Sequence, residues 1–291
     1  MKLFAAAWTL CLGLVLMAPC ALAQDATPKA AEVGAQRVFV CGHSFHIFTA
    51  KILPDLEKGA GLKSSLAGAQ MLGGSRTLAH WNLPDEKNKA KAALRAGEVD
   101  VLTVSPHALL PDEGIDNFTK LGLEKNQNLR VMVQSSWPTN DGSLNPKFKN
   151  DDRNKTTTAQ LRAMRAMHSE MWLKNLEAQV NTLNKDVGRK CVFIVPASDA
   201  VFTLREKVAD GKVPGITGQA QLFSDPLGHA KSPLMALVAY CQYAAIYRKT
   251  PVGLPVPVVL KDAPQATELN KLLQEIAWEA VTSYPMSGVE K

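Results

Sequence analysis

The chain has 291 residues, 46% of them apolar and 21% charged, with a formal net charge of +6. That length and apolar share suit one large domain, and the mild basic excess is spread without a dense tract or interleaved aromatics, so nucleic acid is not implied. The five cysteines show neither CxxC nor metal-finger spacing, which argues against a zinc module or a disulfide scaffold.

The N-terminus sets the expected compartment. Lys2 precedes an apolar run from Leu3 to Ala18, then Pro19, Cys20 and Ala21-Leu22-Ala23. A short charged region, an apolar region and a small-x-small site together read as a signal peptide, residues 1–23, cleaved after Ala23. The product is expected to be secreted or periplasmic. Its apolar run is shorter than the ~20 residues of a spanning helix, and no later segment is apolar for long enough to cross a membrane. Cys20 raises a lipoprotein as the lesser alternative, with Pro19 a poor neighbour for a lipidated cysteine.

A flexible segment is expected over 24–35, followed by one domain over 36–291. Arg37–Cys41 is a short apolar run ending at Gly42, and Phe45–Lys58 follows with helical spacing. A weaker strand lies near Ser65–Met71, ended by Gly73-Gly74, and Glu86–Ala96 reads as a helix. Val99–Val104, Leu129–Gln134 and Cys191–Val195 complete the strands. Helices are further expected over Ala159–Leu183, Ser232–Arg248 and Ala263–Ser283. Between them, 138–158 is a long polar insertion, read equally as a cleft-shaping loop or a solvated one. A disulfide among Cys41, Cys191 and Cys241 stays open.

Continuous rather than alternating apolar strands imply a sheet covered on both faces. With helices as crossovers, the fold expected is a three-layer α/β/α sandwich around a mostly parallel sheet of about five strands, flavodoxin-like. Ligands in such sheets bind at the carboxyl ends of the strands. The chain places Gly42-His43-Ser44, Gly73-Gly74-Ser75-Arg76, Ser105-Pro106-His107 and Gln134-Ser135-Ser136-Trp137 there. Serine and histidine recur and carboxylates are scarce, which disfavours a magnesium site.

A serine needs a base to take its proton, and the base needs an orienting partner. Ser44 sits where a strand turns into a helix. Among six histidines, His168 reads as a surface residue of a helix, and His43 and His46 lie too close along the chain to reach round Ser44 easily. His229, four residues after Asp225 on a loop kinked by Pro226 and Gly228, can be held by that acid through one ring nitrogen. The same pair also reads as a turn cap and a helix cap.

At this point the order of segments resembles the SGNH (GDSL-like) hydrolases. Those enzymes carry a Gly-x-Ser block after strand one, a glycine after strand two, an asparagine after strand three and Asp-x-x-His near the C-terminus. Gly42-His43-Ser44-Phe45, then Gly73-Gly74 with His80-Trp81 soon after, and finally Asp225 to His229 look like three of the four blocks, across about Arg37 to Arg248. Two features depart from the pattern: three residues separate Asp225 from His229, and Val104-Ser105-Pro106-His107 has no asparagine.

The resemblance implies an exported esterase with Ser44 as nucleophile, His229 as base and Asp225 as its partner. The N–H groups of Ser44 and Gly74 would form the oxyanion hole, with Ser105 or His107 in the asparagine's place. No metal or organic cofactor is implied, and the substrate is a small-molecule or carbohydrate ester. Trp81 and Trp137 follow strand ends and are read either as sugar-stacking faces or as packing beneath loops. A non-catalytic or degenerate exported binding protein on the same fold is the rival reading.

Overall fold

The computed structural model describes residues 34–63 and 66–290. The expected signal peptide and nearly all of the segment 24–35 lie outside the described residues. The strands are β1 (Val38–Gly42), β2 (Leu66–Met71), β3 (Val101–Val104), β4 (Arg130–Gln134) and β5 (Val192–Val195). They pair in parallel in the order β2-β1-β3-β4-β5. In that order the chain changes winding direction between β1 and β3, where a crevice opens at the carboxyl ends.

Nine α-helices accompany the sheet among the described residues: α1 (Thr49–Gly59), α2 (Thr77–Trp81), α3 (Lys89–Arg95), α4 (Glu113–Lys125), α5 (Thr158–His168), α6 (Lys174–Asp186), α7 (Ala197–Ala209), α8 (Ser232–Tyr247) and α9 (Ala266–Ser283). None is long and apolar enough to cross a membrane. Alternate residues of each strand serve opposite faces, as the period of two requires. Val38 and Val40 join the core built with α1, α7, α8 and α9, whereas Phe39 and Cys41 join the core under α3, α4 and α6. The three-layer sandwich follows. Helix α8 is apolar on every side because it is enclosed by neighbours, with all but a few positions buried. Cys41, Cys191 and Cys241 are buried free thiols.

Several elements differ from the sequence expectation. Helices α2, α4 and α7 are additional to those read from periodicity, since α2 has only five residues and α7 follows Pro196 with its apolar residues on much of its circumference. The helix expected over Ala159–Leu183 breaks at a π turn, Ser169–Leu173, and α6 continues to Asp186. A left-handed turn within Thr139–Gly142 and a 3₁₀ segment, Asn150–Lys155, organise the polar insertion.

One carboxylate ties two of the unexpected helices together. Asp112 caps α4 by accepting the Gly114 N–H at 3.2 Å, and accepts the Thr77 and Leu78 N–H groups of α2 at 2.6 and 2.8 Å. Orphan amides of two helix ends are thus satisfied by one buried side chain. Gly114 permits this approach, because a Cβ there would lie 2.2 Å from Leu78 N. Gly114→Ala should therefore destabilise the fold by about 1–3 kcal/mol through overpacking. Urea melts check this, and an unchanged midpoint would contradict the close α2–α4 approach.

Candidate active site

The loop after β1 positions Ser44. His43 carbonyl oxygen accepts from His46 N at 3.0 Å and Ile47 N at 2.9 Å, and similar turns run on into α1. The serine therefore sits in the first turn of a helical lead-in, where amides lack partners and negative charge is favoured. Gly42 is needed beneath it, since a Cβ there would meet His46 Nδ1 at 2.6 Å. His46 is fully buried and its Nε2 lies 3.0 Å from Thr103 Oγ1 on β3.

The loop 223–230 brings the second half of the site across the sheet. Phe223 and Ala230 bridge antiparallel, and Ser224 N donates to His229 O at 2.8 Å. Within this closed loop Asp225 Oδ1 accepts from Gly228 N at 2.9 Å and His229 N at 3.2 Å, which folds the carboxylate back onto the imidazole. Asp225 Oδ2 then lies 2.6 Å from His229 Nδ1, and His229 Nε2 lies 2.9 Å from Ser44 Oγ. The turn between the acid and the histidine closes at Gly228, whose φ of 107° is open to glycine. With Nδ1–H donated to the carboxylate, Nε2 is left to accept the serine proton. Partial burial pushes the Asp225 carboxyl up, but hydrogen bonds from the His229 ring and from the His229 and Gly228 amides outweigh it and hold it below its ordinary value. Phe45 steadies the imidazole edge-on at 5.3 Å and stacks on Trp137 at 4.8 Å.

These groups open onto a cavity of about 600 Å³ at the carboxyl ends of the strands. Its lining includes Gly73, Gly74, His107, Trp137, Trp172 and Leu227 but, among the described residues, no Asp, Glu, Lys or Arg. The N–H groups of Ser44 and Gly74 donate to no backbone or side-chain acceptor among the described residues. Gly74 has φ 59°, and the space around its absent side chain is open.

The other expected site residues divide. His107 lines the cavity, and its carbonyl accepts from Trp172 Nε1 at 3.2 Å. Trp137 also lines it, but is only 3% exposed and donates from Nε1 to Gly228 O at 2.9 Å. Ser105 is a correction: it is buried behind the lining, with its hydroxyl 3.2 Å from His43 Nε2 and 3.0 Å from Ser136 Oγ. Of the two readings of Trp81, the structure shows packing: it lies edge-on to Phe118 at 5.2 Å, beneath Lys91 Nζ, and is absent from the cavity wall. His168 is not a surface residue. It stacks on Trp172 at 5.2 Å, four residues later and so on the same helix face, and both line the cavity. An exposed-looking helical pattern gave no sign of that placement.

Three further imidazoles are neutral: His43, in the cavity wall, and the buried His46 and His80. Burial, with a smaller contribution from neighbouring imidazoles at His43 and His46, pushes His43 and His80 down to about 4 and His46 to about 3. The unfolded chain protonates them near the ordinary value of ~6.5. Between roughly pH 6.5 and 4 the unfolded state therefore binds protons that the folded state refuses. Their contribution to stability is full above that window and lost as pH falls through it, by up to about 1.4 kcal/mol per pH unit for each imidazole. Urea melts across the window should show the midpoint falling with acid. A flat midpoint down to roughly pH 5 would contradict neutral burial.

No protein-family model and no curated protein matches this chain. Among solved structures, a DUF4886 family protein from Bacteroides uniformis is similar over 86% of this chain and 96% of its own, at 17% identity and a TM-score of 0.49. WcbI, described as a polysaccharide biosynthesis enzyme, is similar over 87% of this chain and 92% of its own, at 13% identity and a TM-score of 0.36. Both are likenesses in the course of the chain, too distant to bear on the chemistry of the site.

Proposed function

We propose that this protein is an exported serine ester hydrolase of the SGNH type. The observation that carries the reading is the hydrogen-bonded chain from Ser44 Oγ through His229 to Asp225, at 2.9 and 2.6 Å, opening onto an accessible cavity. Ser44 Oγ attacks the ester carbonyl carbon while His229 Nε2 takes its proton, and Asp225 offsets the imidazolium charge. The carbonyl oxygen, now negative, is met by the N–H groups of Ser44 and Gly74. His229 returns the proton to the departing alcohol. Water, deprotonated by His229, then releases the acid from Ser44.

The uncharged lining supports an uncharged substrate, since a buried unpaired charge is costly. Apolar walls from Met71, Pro106, Trp172 and Leu227 favour an apolar acyl or aryl group. A carbohydrate ester stacked on Trp137 is less well supported, because that ring is covered by Phe45. The rival binding-protein reading has one observation in its favour: the hydroxyl of Ser105, where SGNH enzymes have asparagine, is engaged by His43 and Ser136.

The purified chain should hydrolyse p-nitrophenyl acetate, and Ser44→Ala should lower kcat by at least about 10³-fold. A fluorophosphonate should label Ser44, read by mass spectrometry of the tryptic peptide. Absence of both labelling and turnover across a panel of acyl esters would sink the hydrolase and leave the binding protein.

A further inference from the structure

We infer that Arg153 is a positioning residue whose buried guanidinium holds the Asp225–His229 turn in the conformation that joins the acid to its base. The inference rests on the hydrolase reading of that site. Its basis is the polar insertion 138–158 together with Trp137. Four successive carbonyl oxygens of the turn accept hydrogen bonds from this one stretch. Asp225 O accepts from Arg153 Nη1 at 3.0 Å, and Pro226 O from Arg153 Nη2 at 2.7 Å and Asn140 Nδ2 at 3.1 Å. Leu227 O accepts from Asn140 N at 3.0 Å, and Gly228 O from Trp137 Nε1 at 2.9 Å. With the backbone held along its outer side, the turn cannot rotate the Asp225 carboxylate away from His229.

Arg153 is itself fixed on every side. Its Nε donates to Asp141 at 3.1 Å and its Nη1 to Asn150 Oδ1 at 2.7 Å, while its plane lies 4.5 Å from the Phe223 ring and 5.0 Å from Phe148. Asp141 also takes both Nη atoms of Arg205, at 3.1 and 2.6 Å. Arg153 has 0% and Arg205 1% of its surface exposed. A planar fork with five donors is required here, because two carbonyls, a carboxylate and an amide are served by one group.

The local sequence makes this possible. Asn140, Asp141 and Gly142 have φ of 51°, 56° and 72°, three left-handed residues in a row. That curl turns Asp141 inward to meet both guanidinium groups, and Asn, Asp and Gly are the residue types that tolerate it. Buried ion clusters are poor stabilisers compared with apolar packing of the same volume. A strained turn feeding a buried two-arginine cluster, aimed at the turn that carries Asp225 and His229, is better accounted for by positioning than by stability.

The test measures kcat, KM and the low-field proton resonance of His229 Nδ1–H in the full chain. Arg153→Met should fold, keep KM within about threefold, lose about 10²-fold in kcat and lose the resonance, as expected for a misplaced base. Arg153→Lys should restore part of both, since an ammonium reaches one carbonyl but not two. A folded Arg153→Met with kcat within about threefold of wild type and the resonance intact would overturn the proposal. If Arg153→Met fails to fold, Arg153→Lys decides: it keeps a buried cation beside Asp141 but leaves one of the two turn carbonyls without its Arg153 donor, and should lower kcat about three- to tenfold at constant KM. An unchanged kcat and resonance in that variant would leave the cluster purely structural and overturn the proposal. If the wild type hydrolyses no ester, the hydrolase reading fails separately, and the Nδ1–H resonance still decides whether Arg153 positions His229.

Discussion

A parallel sheet covered on both faces leaves its chemistry only one place to go. β1, β3 and β4 pair with a strand on each side, and every residue of β1, β3, β4 and β5 is buried. Side chains that must meet solvent are therefore confined to the strand ends. The change of winding between β1 and β3 separates the loops there and opens the crevice. Ser44, Gly74 and His107 reach that crevice from the ends of three adjacent strands. The π turn between α5 and α6 adds His168 and Trp172, and loop 223–230 adds His229.

Within the crevice, polarity is organised by hydrogen-bond direction rather than by net charge. The His43 ring accepts the Phe45 amide at Nδ1 and so turns its Nε2–H toward Ser105. His229 does the reverse, giving its Nδ1–H to Asp225 and keeping Nε2 free to accept. The two imidazoles border one cavity in different environments. Burial holds His43 neutral, whereas His229 is part-exposed beside a carboxylate. The contrast lies in surroundings and leaves one histidine suited to packing and the other to moving a proton.

Asp225 and His229 illustrate how a loop becomes rigid without regular structure. Its inward groups bind one another, and its outward carbonyls bind the insertion 138–158. That insertion is rich in Asn, Asp and Lys, which in sequence reads as a solvated segment. Two buried arginines inside an apolar shell of Phe148 and Phe223 were not legible, because the same residue types on an open surface would look identical. The consecutive Asn-Asp-Gly was the available signal, as the residues best suited to left-handed backbone.

The sequence by itself determined the sheet. Apolar runs of four to six residues stop at Gly or Pro near the observed ends of β1 and β5, and helical patterns were legible between every successive pair of strands except β3 and β4, which α4 connects. It also determined Ser44, Asp225 and His229 as candidates, since residue type, local turn chemistry and chain order are all local properties. Tertiary structure alone decided which candidates meet. It brought Ser44 and His229 together across 185 positions of chain, placed Trp81 against Phe118, enclosed Ser105, and set His168 in the cavity wall. The physical reason is that burial and pairing depend on partners distant in sequence, and a single chain records their residue types but not their distances.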